Sequence, residues 1–250
     1  MKPTIPQTLL QVAERYPDYA AQYSKDESGT FRERSYQELV QVVEQFAAGL
    51  LGMGVSRGDH VGLISENRAE WFIADLGILS IGAIDVPRGN DTVPREVAYI
   101  LGFAECRTVL TEDLAQARKV LSVREEIPTL QTLIILNPDE KVEELADEAG
   151  SIQTFSVTEI YERGRAYLED KQDAIREEIA KGSRDDTATL IFTSGTTGTP
   201  KGVMLTHGNF LHQVDHVPDL IDVGPGDIWL CVLPVWHSFE RIMQYVSLGS

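Results

Sequence analysis

The sequence predicts an α/β fold, with a mainly parallel β-sheet covered by helices on both faces. Short apolar runs typical of strands alternate along the chain with segments of helical periodicity. Strands that alternate with helices favour parallel pairing, because each crossover needs a connection as long as a helix. The 250 residues, 42% of them hydrophobic and 24% charged, are enough to bury a large core in one or two domains.

The first helix and strand of this alternation are predicted from capping and turn residues. Ser35 and Glu38 have the spacing of a capping box, in which each side chain bonds the other residue's backbone amide. The apolar residues that follow share one helical face: Leu39, Val43, Phe46 and Leu50. Gly52 and Gly54 end this helix, and residues 60–65 read as the next strand.

The alternation continues to the middle of the chain. In order, the pattern predicts a helix begun by Asn67 with Glu70, a strand at 84–86, a helix at 95–103, a strand at 107–110, a helix at 114–123 and a strand at 132–136. Residues 137–150 are acidic and are predicted as a surface excursion. Residues 158–181 form a polar helix whose charges face water.

Toward the end of the chain, two strands at 187–192 and 202–206 are predicted on either side of a loop. Thr206 or Asn209 is expected to cap the helix that follows. Residues 230–234 read as a buried strand. A last helix is predicted from an apolar face made by Phe239, Ile242, Met243 and Val246.

The composition excludes some classes of function. The formal charge is −17, with an acidic excess at 139–148, which argues against nucleic-acid binding and against attraction to anionic lipid. No secretory signal and no run long enough to span a bilayer is found, so a cytoplasmic location is expected, with peripheral membrane contact left open. Cys106 and Cys231 both lie in apolar surroundings and are predicted as core residues.

The most informative segment is the loop at 193–202, Thr-Ser-Gly-Thr-Thr-Gly-Thr-Pro-Lys-Gly. Glycines allow the backbone to approach a ligand closely, and successive amide groups in such a loop form a concavity that suits an anion. The hydroxyls add hydrogen-bond donors, and Lys201 adds a mobile positive charge. A plain turn between strands needs only one or two glycines, so the pattern favours a polyphosphate ligand.

Two common phosphate loops do not fit this segment. A Walker A loop places a lysine directly after glycine and a hydroxyl directly after the lysine. Here Thr199 and Pro200 separate Gly198 from Lys201, and Gly202 follows the lysine. The dinucleotide spacing Gly-x-Gly-x-x-Gly is also absent from the loop.

Residues 190–203, Leu-Ile-Phe-Thr-Ser-Gly-Thr-Thr-Gly-Thr-Pro-Lys-Gly-Val, resemble the signature loop of the adenylate-forming enzymes, also called the AMP-binding or acyl-CoA synthetase family. Three less specific segments resemble motifs of that family in the expected order, at 35–39, 77–87 and 233–241. The Phe-Glu-Arg after His237 is similar to the long-chain fatty acyl-CoA and acyl-ACP synthetase branch. The resemblance covers nearly the whole chain.

The resemblance implies where nucleotide and acid would bind. The β- and γ-phosphates of ATP are expected on these residues: Thr193, Ser194, Gly195, Thr196, Thr197, Gly198, Lys201 and Gly202. His237 is the candidate catalytic residue, expected beside the acyl carboxylate, and its alternative role is to fill a turn. The chain itself is expected to be the N-terminal part of the large domain, with residues 1–250 an incomplete AMP-binding domain and the small C-terminal domain absent.

The remaining polar and aromatic candidates are given structural roles. His207, His212 and His216 are spaced so that they spread around a helix, and a zinc site is not predicted. Trp236 and Phe239 flank His237 and either line an acyl pocket or belong to the core. Glu240 and Arg241 are expected to form a local ion pair.

The function implied by the resemblance is ATP-dependent activation of a carboxylic acid, with a long-chain fatty acid as the expected substrate. An acyl-adenylate forms first, and coenzyme A or an acyl-carrier protein then accepts the acyl group, with ATP, Mg²⁺ and coenzyme A as cofactors. Two alternatives stay open: another adenylate-forming ligase (acyl-ACP, aryl or amino acid), and a non-catalytic fragment that binds a nucleotide or partner. Residues 1–250 alone are expected to make little or no acyl-adenylate.

Overall fold

The computed structural model describes residues 3–26, 28–193, 200–217, 220–221 and 224–249. Its strands, in chain order, are β1 (Ala20–Lys25), β2 (Phe31–Ser35), β3 (His60–Ile64), β4 (Ile84–Arg88), β5 (Thr108–Thr111), β6 (Thr132–Ile135), β7 (Gln153–Ser156), β8 (Thr187–Thr193) and β9 (Lys201–Thr206). β1 and β2 pair as a separate antiparallel hairpin. The other seven form one sheet in the order β7-β6-β5-β3-β4-β8-β9.

Helices connect these strands. They are α1 (Ile5–Arg15), α2 (Tyr36–Gly52), α3 (Ala69–Ser80), α4 (Pro94–Phe103), α5 (Leu114–Ser122), α6 (Ala146–Ala149), α7 (Val157–Asp170), α8 (Ala174–Ala180), α9 (His207–His216) and α10 (Ser238–Gly249). Two 3₁₀ turns lie at Arg124–Glu126 and Val142–Leu145. The predicted single helix at 158–181 is in fact two helices, α7 and α8.

The sheet is parallel except at one edge, where β9 runs antiparallel to β8. Apolar side chains alternate between its two faces, as in β3, where Leu63 joins one core cluster and Ile64 joins the other. The first cluster packs under α1, α2, α3, α7, α8, α9 and α10, and the second under α4 and α5. The predicted mainly parallel sheet with helices on both faces is therefore confirmed.

Of the three helix starts for which a side-chain cap is predicted, two are confirmed. Ser35 caps α2 with Glu38 as the reciprocal partner, and Thr206 caps α9 with Asn209 in the same way. The third is wrong: α3 begins after Arg68, and no side chain caps it. The side-chain amide of Asn67 instead forms hydrogen bonds with the backbone of Leu233 and Val235.

The predicted buried strand at 230–234 is not formed. Leu230 is 74% exposed and Val232 is 72% exposed, and no strand among the described residues pairs with this segment. Without a neighbouring ladder, the extended backbone cannot become a sheet strand. Cys231 on this segment is exposed, so the predicted core position is wrong there and confirmed for the buried Cys106.

α10 confirms the predicted final helix, with Met243 and Val246 buried against the core, but Phe239 at its start is 55% exposed. Across the ranges given above, no helix combines the length and the apolar character needed to cross a membrane.

Candidate functional site

The predicted loop leaves the sheet at the carboxyl end of β8, next to the carboxyl end of the parallel strand β4. This is the edge at which open α/β sheets bind ligands. Thr193 pairs with Lys201 across the β8–β9 ladder, and Phe192 pairs with Gly202. The two ends of the loop are thus held together, and the side chains of Thr193 and Lys201 are exposed. Of the predicted phosphate contacts, Ser194, Gly195, Thr196, Thr197 and Gly198 lie outside the described residues.

Helix α4 supports both ends of the loop. The Tyr99 hydroxyl donates to the Pro200 carbonyl at 3.3 Å. The rings of Tyr99 and Phe103 meet Phe192 edge to face, with centroids 6.4 and 5.9 Å away. This aromatic support fixes the strand that leads into the loop.

The turn that carries His237 is tied to the same edge of the sheet. Asn67, three residues past the end of β3, donates from Nδ2 to the Leu233 carbonyl at 2.7 Å and accepts from the Val235 amide at 2.8 Å. The His237 amide donates to the Pro234 carbonyl at 3.0 Å and closes the turn. Asn67 was expected to cap a helix, and the sequence held no signal of a contact to a segment so far along the chain.

His237 itself is exposed at the start of α10. Its Nδ1 accepts from the Phe239 amide at 3.4 Å. In a neutral ring, an Nδ1 that accepts leaves the proton on Nε2, which is then a donor. Such a donor on an exposed side chain can orient a carboxylate.

Arg88, the last residue of β4, contacts both of these segments. Its Nη1 donates to the Phe192 carbonyl at 3.0 Å, and its guanidinium carbon lies 5.6 Å from the centre of the Trp236 ring. Phe192 directly precedes the loop, and Trp236 directly precedes His237. The structure therefore brings the described ends of the loop and the His237 turn to one edge of the sheet.

Glu112, just past β5, joins the loops that follow three strands. Its Oε2 accepts from Ser65 Oγ at 3.1 Å, from the Glu66 amide at 2.7 Å and from Asn90 Nδ2 at 2.8 Å. Lys119 Nζ donates to the Asn90 carbonyl at 2.6 Å. Sequence reasoning missed this network, although polar residues directly after three predicted strands were a usable signal.

The predicted Glu240–Arg241 ion pair is not formed. Neighbouring residues on a helix point about 100° apart and cannot face each other. Glu240 accepts from the Leu233 amide at 3.2 Å, whereas Arg241 turns into the core. There its Nη1 and Nη2 bond both oxygens of Asp85 at 2.9 and 2.8 Å, and Nη2 also bonds Asp75.

Tyr245 completes this buried cluster of Asp75, Asp85, Arg241 and Tyr245. Its hydroxyl accepts from Arg241 Nε at 2.8 Å and donates to Asp75 at 2.6 Å. Burial raises the pKa of Asp75 to about 7, with Arg241 opposing the rise and Asp85 adding to it. The cluster fastens α10, which carries His237 at its start, to α3 and β4. Because Arg241 also donates its backbone amide to the His237 carbonyl at 3.3 Å, the buried cluster and the turn are continuous.

The three histidines at 207–216 do not converge. His207 is buried, and its Nδ1 accepts from the Ile5 amide at 3.4 Å, whereas His212 and His216 are exposed with ring centres 4.3 Å apart. Within the described ranges, no three or more His, Cys, Asp or Glu residues gather as a metal site.

Burial lowers the pKa of His207 to about 4, which Asp186 opposes and Arg241 reinforces. The stability that comes from neutral His207 is therefore complete above pH 6.5 and is lost as the pH falls toward 4. Over that range the wild type should lose on the order of 3 kcal/mol of its free energy of unfolding, as 1.36 kcal/mol per pKa unit implies. We expect His207→Asn to abolish this pH-dependent loss. Urea unfolding at several pH values measures it. His212→Asn, on the exposed side of the same helix, should keep the wild-type slope, and an unchanged slope in His207→Asn would contradict the assignment.

A cleft of about 390 Å³ lies between β9, α9 and α10. Apolar side chains of Leu205, Phe210 and Ile242 line it together with the polar Asn209 and Ser238. Ser238 directly follows His237, so the cleft begins beside the turn. Trp236 and Phe239, expected either in an acyl pocket or in the core, do not line it: Trp236 packs on Arg88, and Phe239 is exposed.

Comparison with known protein families matches residues 9–250 to the AMP-binding enzymes. The chain is 31% identical over 244 residues to the chloroplastic long-chain-fatty-acid–[acyl-carrier-protein] ligase of Arabidopsis thaliana, covering 96% of this chain and 33% of that protein. It is 29% identical to the peroxisomal long chain acyl-CoA synthetase 7 of the same plant, covering 88% of this chain and 30% of that protein. The chain thus spans about a third of the length of these relatives.

Solved structures share the fold. The N-terminal domain of FACL13 from Mycobacterium tuberculosis, bound to an inhibitor, matches with a TM-score of 0.74 and 24% identity, over 99% of this chain and 55% of that one. The A-PCP didomain of a carboxylic acid reductase from Segniliparus rugosus, in complex with AMP, matches with a TM-score of 0.79 and 21% identity, over 99% of this chain and 38% of that one. With a family match over residues 9–250 and the two described ends of the signature loop at the carboxyl edge of the sheet, the chain belongs to the AMP-binding enzyme family.

Proposed function

We propose that the whole polypeptide containing residues 1–250 is an ATP-dependent acid–thiol ligase that activates a long-chain fatty acid. The observation that carries the proposal is that Arg88 contacts both the strand leading into the loop and the turn carrying His237. Phosphate-binding groups and a carboxylate-orienting group then lie on one edge of the sheet. The long-chain relatives named above support the substrate class.

In this proposal the loop binds the β- and γ-phosphates of ATP through its backbone amides and hydroxyls. Lys201, exposed and directly paired with Thr193, neutralises charge that develops on pyrophosphate. The aromatic support from α4 keeps the two ends of the loop in place while the part between them meets the phosphates.

The reaction proceeds in two steps that conserve atoms and charge. A carboxylate oxygen attacks the α-phosphorus of ATP, the bond to the bridging oxygen breaks, and pyrophosphate leaves, which gives an acyl-adenylate. A thiolate then attacks the acyl carbon, and AMP leaves with the oxygen that came from the carboxylate. His237 contributes by donating from Nε2 to the acid and orienting it for the first step.

The acyl chain is proposed to bind in the cleft between β9, α9 and α10, which is lined by Ser238 next to His237 and by the apolar Leu205, Phe210 and Ile242. Coenzyme A or an acyl-carrier protein is the thiol acceptor. Mg²⁺ would accompany ATP and offset the charge of its phosphates. We further propose a cytoplasmic location, which is supported by the absence of a disulfide between Cys106 and Cys231.

Exchange of labelled pyrophosphate into ATP by the whole polypeptide tests the reaction class and the substrate together. Fatty acids from short to long chain, an aromatic acid and an amino acid are compared with a control without acid. We expect exchange that depends on a long-chain acid, and little or none from residues 1–250 alone. Exchange supported only by the aromatic or amino acid would refute the substrate class, and none with any acid would refute adenylation.

A further inference from the structure

Arg88 occupies a position from which one side chain reaches both halves of the proposed site. Its Nη1 donates to the carbonyl of Phe192, the residue before the loop, at 3.0 Å. Its guanidinium lies over Trp236, the residue before His237, at 5.6 Å. Nη2 pairs with Glu96 at 3.3 Å, and only 18% of the Arg88 side chain is exposed. None of the motifs that identified the family includes this residue.

Trp236 also packs against backbone. A Cβ on Gly89 would lie 2.6 Å from Cε2 of Trp236, so the indole packs directly against the chain that follows β4. The indole therefore contacts both the guanidinium of Arg88 and the backbone of Gly89. Displacing Arg88 would change the packing of the residue that directly precedes His237.

Arginine suits this double contact and lysine does not. A guanidinium is planar and can stack on an indole while its edge donates to a carbonyl and a carboxylate. An ammonium group is a compact point charge that cannot keep all three contacts in one geometry. The geometry therefore depends on the shape of the Arg88 side chain and not only on its charge.

We propose that Arg88 is a positioning residue that couples the phosphate loop to the His237 turn, so that ATP and the acid bind synergistically. This inference rests on the proposed function. Arg88 holds the Phe192 carbonyl at the base of the loop and the Trp236 indole beside His237 in one geometry, so phosphates bound to the loop favour the arrangement of the turn that takes the acid. Coupling of this kind is typically on the order of 5–150-fold in affinity.

The first experiment measures the effect of ATP binding on Trp236 without catalysis. In the whole polypeptide with Trp71→Phe and Trp229→Phe, Trp236 is the reporter among the three tryptophans of residues 1–250. We expect ATP to change the fluorescence attributed to Trp236, measured as the difference from a further Trp236→Phe variant. Arg88→Met should lose that change while still binding labelled ATP in equilibrium dialysis. Arg95→Met, the same substitution at an exposed position of the neighbouring helix α4, should keep it.

The second experiment measures synergy directly. The KM for the acid in pyrophosphate exchange is determined at several ATP concentrations, with native tryptophans. In Arg88→Met the synergy factor should fall to near one, and Arg88→Lys should restore little of it. A variant that had merely lost stability would show a lower melting temperature with its synergy intact.

The outcomes separate this inference from the proposed function. ATP binding with an equal Trp236 response, or equal synergy, in wild type and Arg88→Met would overturn the coupling. Full rescue by Arg88→Lys would overturn the argument from shape. Absence of ATP binding in the wild type would count against both the coupling and the proposed function, whereas ATP binding without acid-dependent exchange would refute the function alone.

Discussion

Arg241→Met is expected to lower the free energy of unfolding by about 3–5 kcal/mol, the usual cost of removing one partner from a buried ion pair. Arg241, Asp75 and Asp85 are all fully buried, so the substitution leaves two carboxylates without their shared cation. Tyr245 also loses the donor to its hydroxyl oxygen. Urea unfolding of residues 1–250, followed by circular dichroism, measures the effect.

Arg176→Met provides the matched control, because Arg176 pairs with Glu44 at the surface and is 60% exposed. An exposed pair contributes about 0–1 kcal/mol, so this variant should unfold almost like the wild type. Arg241→Lys should fall between the two, since one ammonium cannot keep every bond to Asp75, Asp85 and Tyr245. A loss below about 1 kcal/mol in Arg241→Met would show that the cluster does not hold α10 to the sheet.

Lys201→Ala in the whole polypeptide is expected to lower kcat for pyrophosphate exchange by about 10²-fold, the effect of removing one preorganised group from a developing negative charge. Lys201 is exposed and pairs with Thr193 at the base of the loop, so its removal should leave the fold intact. Initial rates over a range of ATP concentrations separate kcat from KM.

Lys141→Ala is the control for this prediction, because Lys141 is also exposed but lies in the segment after β6. It should exchange pyrophosphate at the wild-type rate. Unchanged kcat and ATP KM in Lys201→Ala would remove Lys201 from the proposed site, even if the family's reaction were found.

The alternation of elements was predictable because it depends on local patterns. The strand expected at 60–65 is His60–Ile64, and the helix expected at 95–103 is Pro94–Phe103. These elements are buried on one or two faces, so their apolar residues carry a clear period. The β1–β2 hairpin and β7 were missed, because their side chains are largely exposed or half-buried and give little alternation.

The segment at 230–234 shows the converse error. Its apolar run satisfies the local criterion for a strand, but a strand also needs a partner, and local pattern does not provide one. The capping role of Asn67 failed for a related reason: its amide bonds residues 166 and 168 positions along the chain, a contact with no local signal.

The residues of the candidate site show the same difference between local patterns and long-range contacts. The loop and His237 were predicted from short motifs, whereas Arg88 and the Arg241 cluster became visible only in three dimensions. Arg241 lies 156 positions from Asp85, and the sequence offered Glu240 next to it as the simpler partner. A nearest-neighbour ion pair is the natural expectation from sequence, and helix geometry rules it out.

The fate of a carboxylate oxygen distinguishes adenylation from other ways of activating the acid. The whole polypeptide is supplied with a long-chain fatty acid carrying a heavy oxygen isotope in its carboxylate, together with ATP and coenzyme A or an acyl-carrier protein, and the products are examined by mass spectrometry. Attack on the α-phosphorus predicts that AMP gains one labelled oxygen and pyrophosphate gains none. Label in inorganic phosphate, formed together with ADP, would indicate an acyl phosphate instead and would rule out attack on the α-phosphorus.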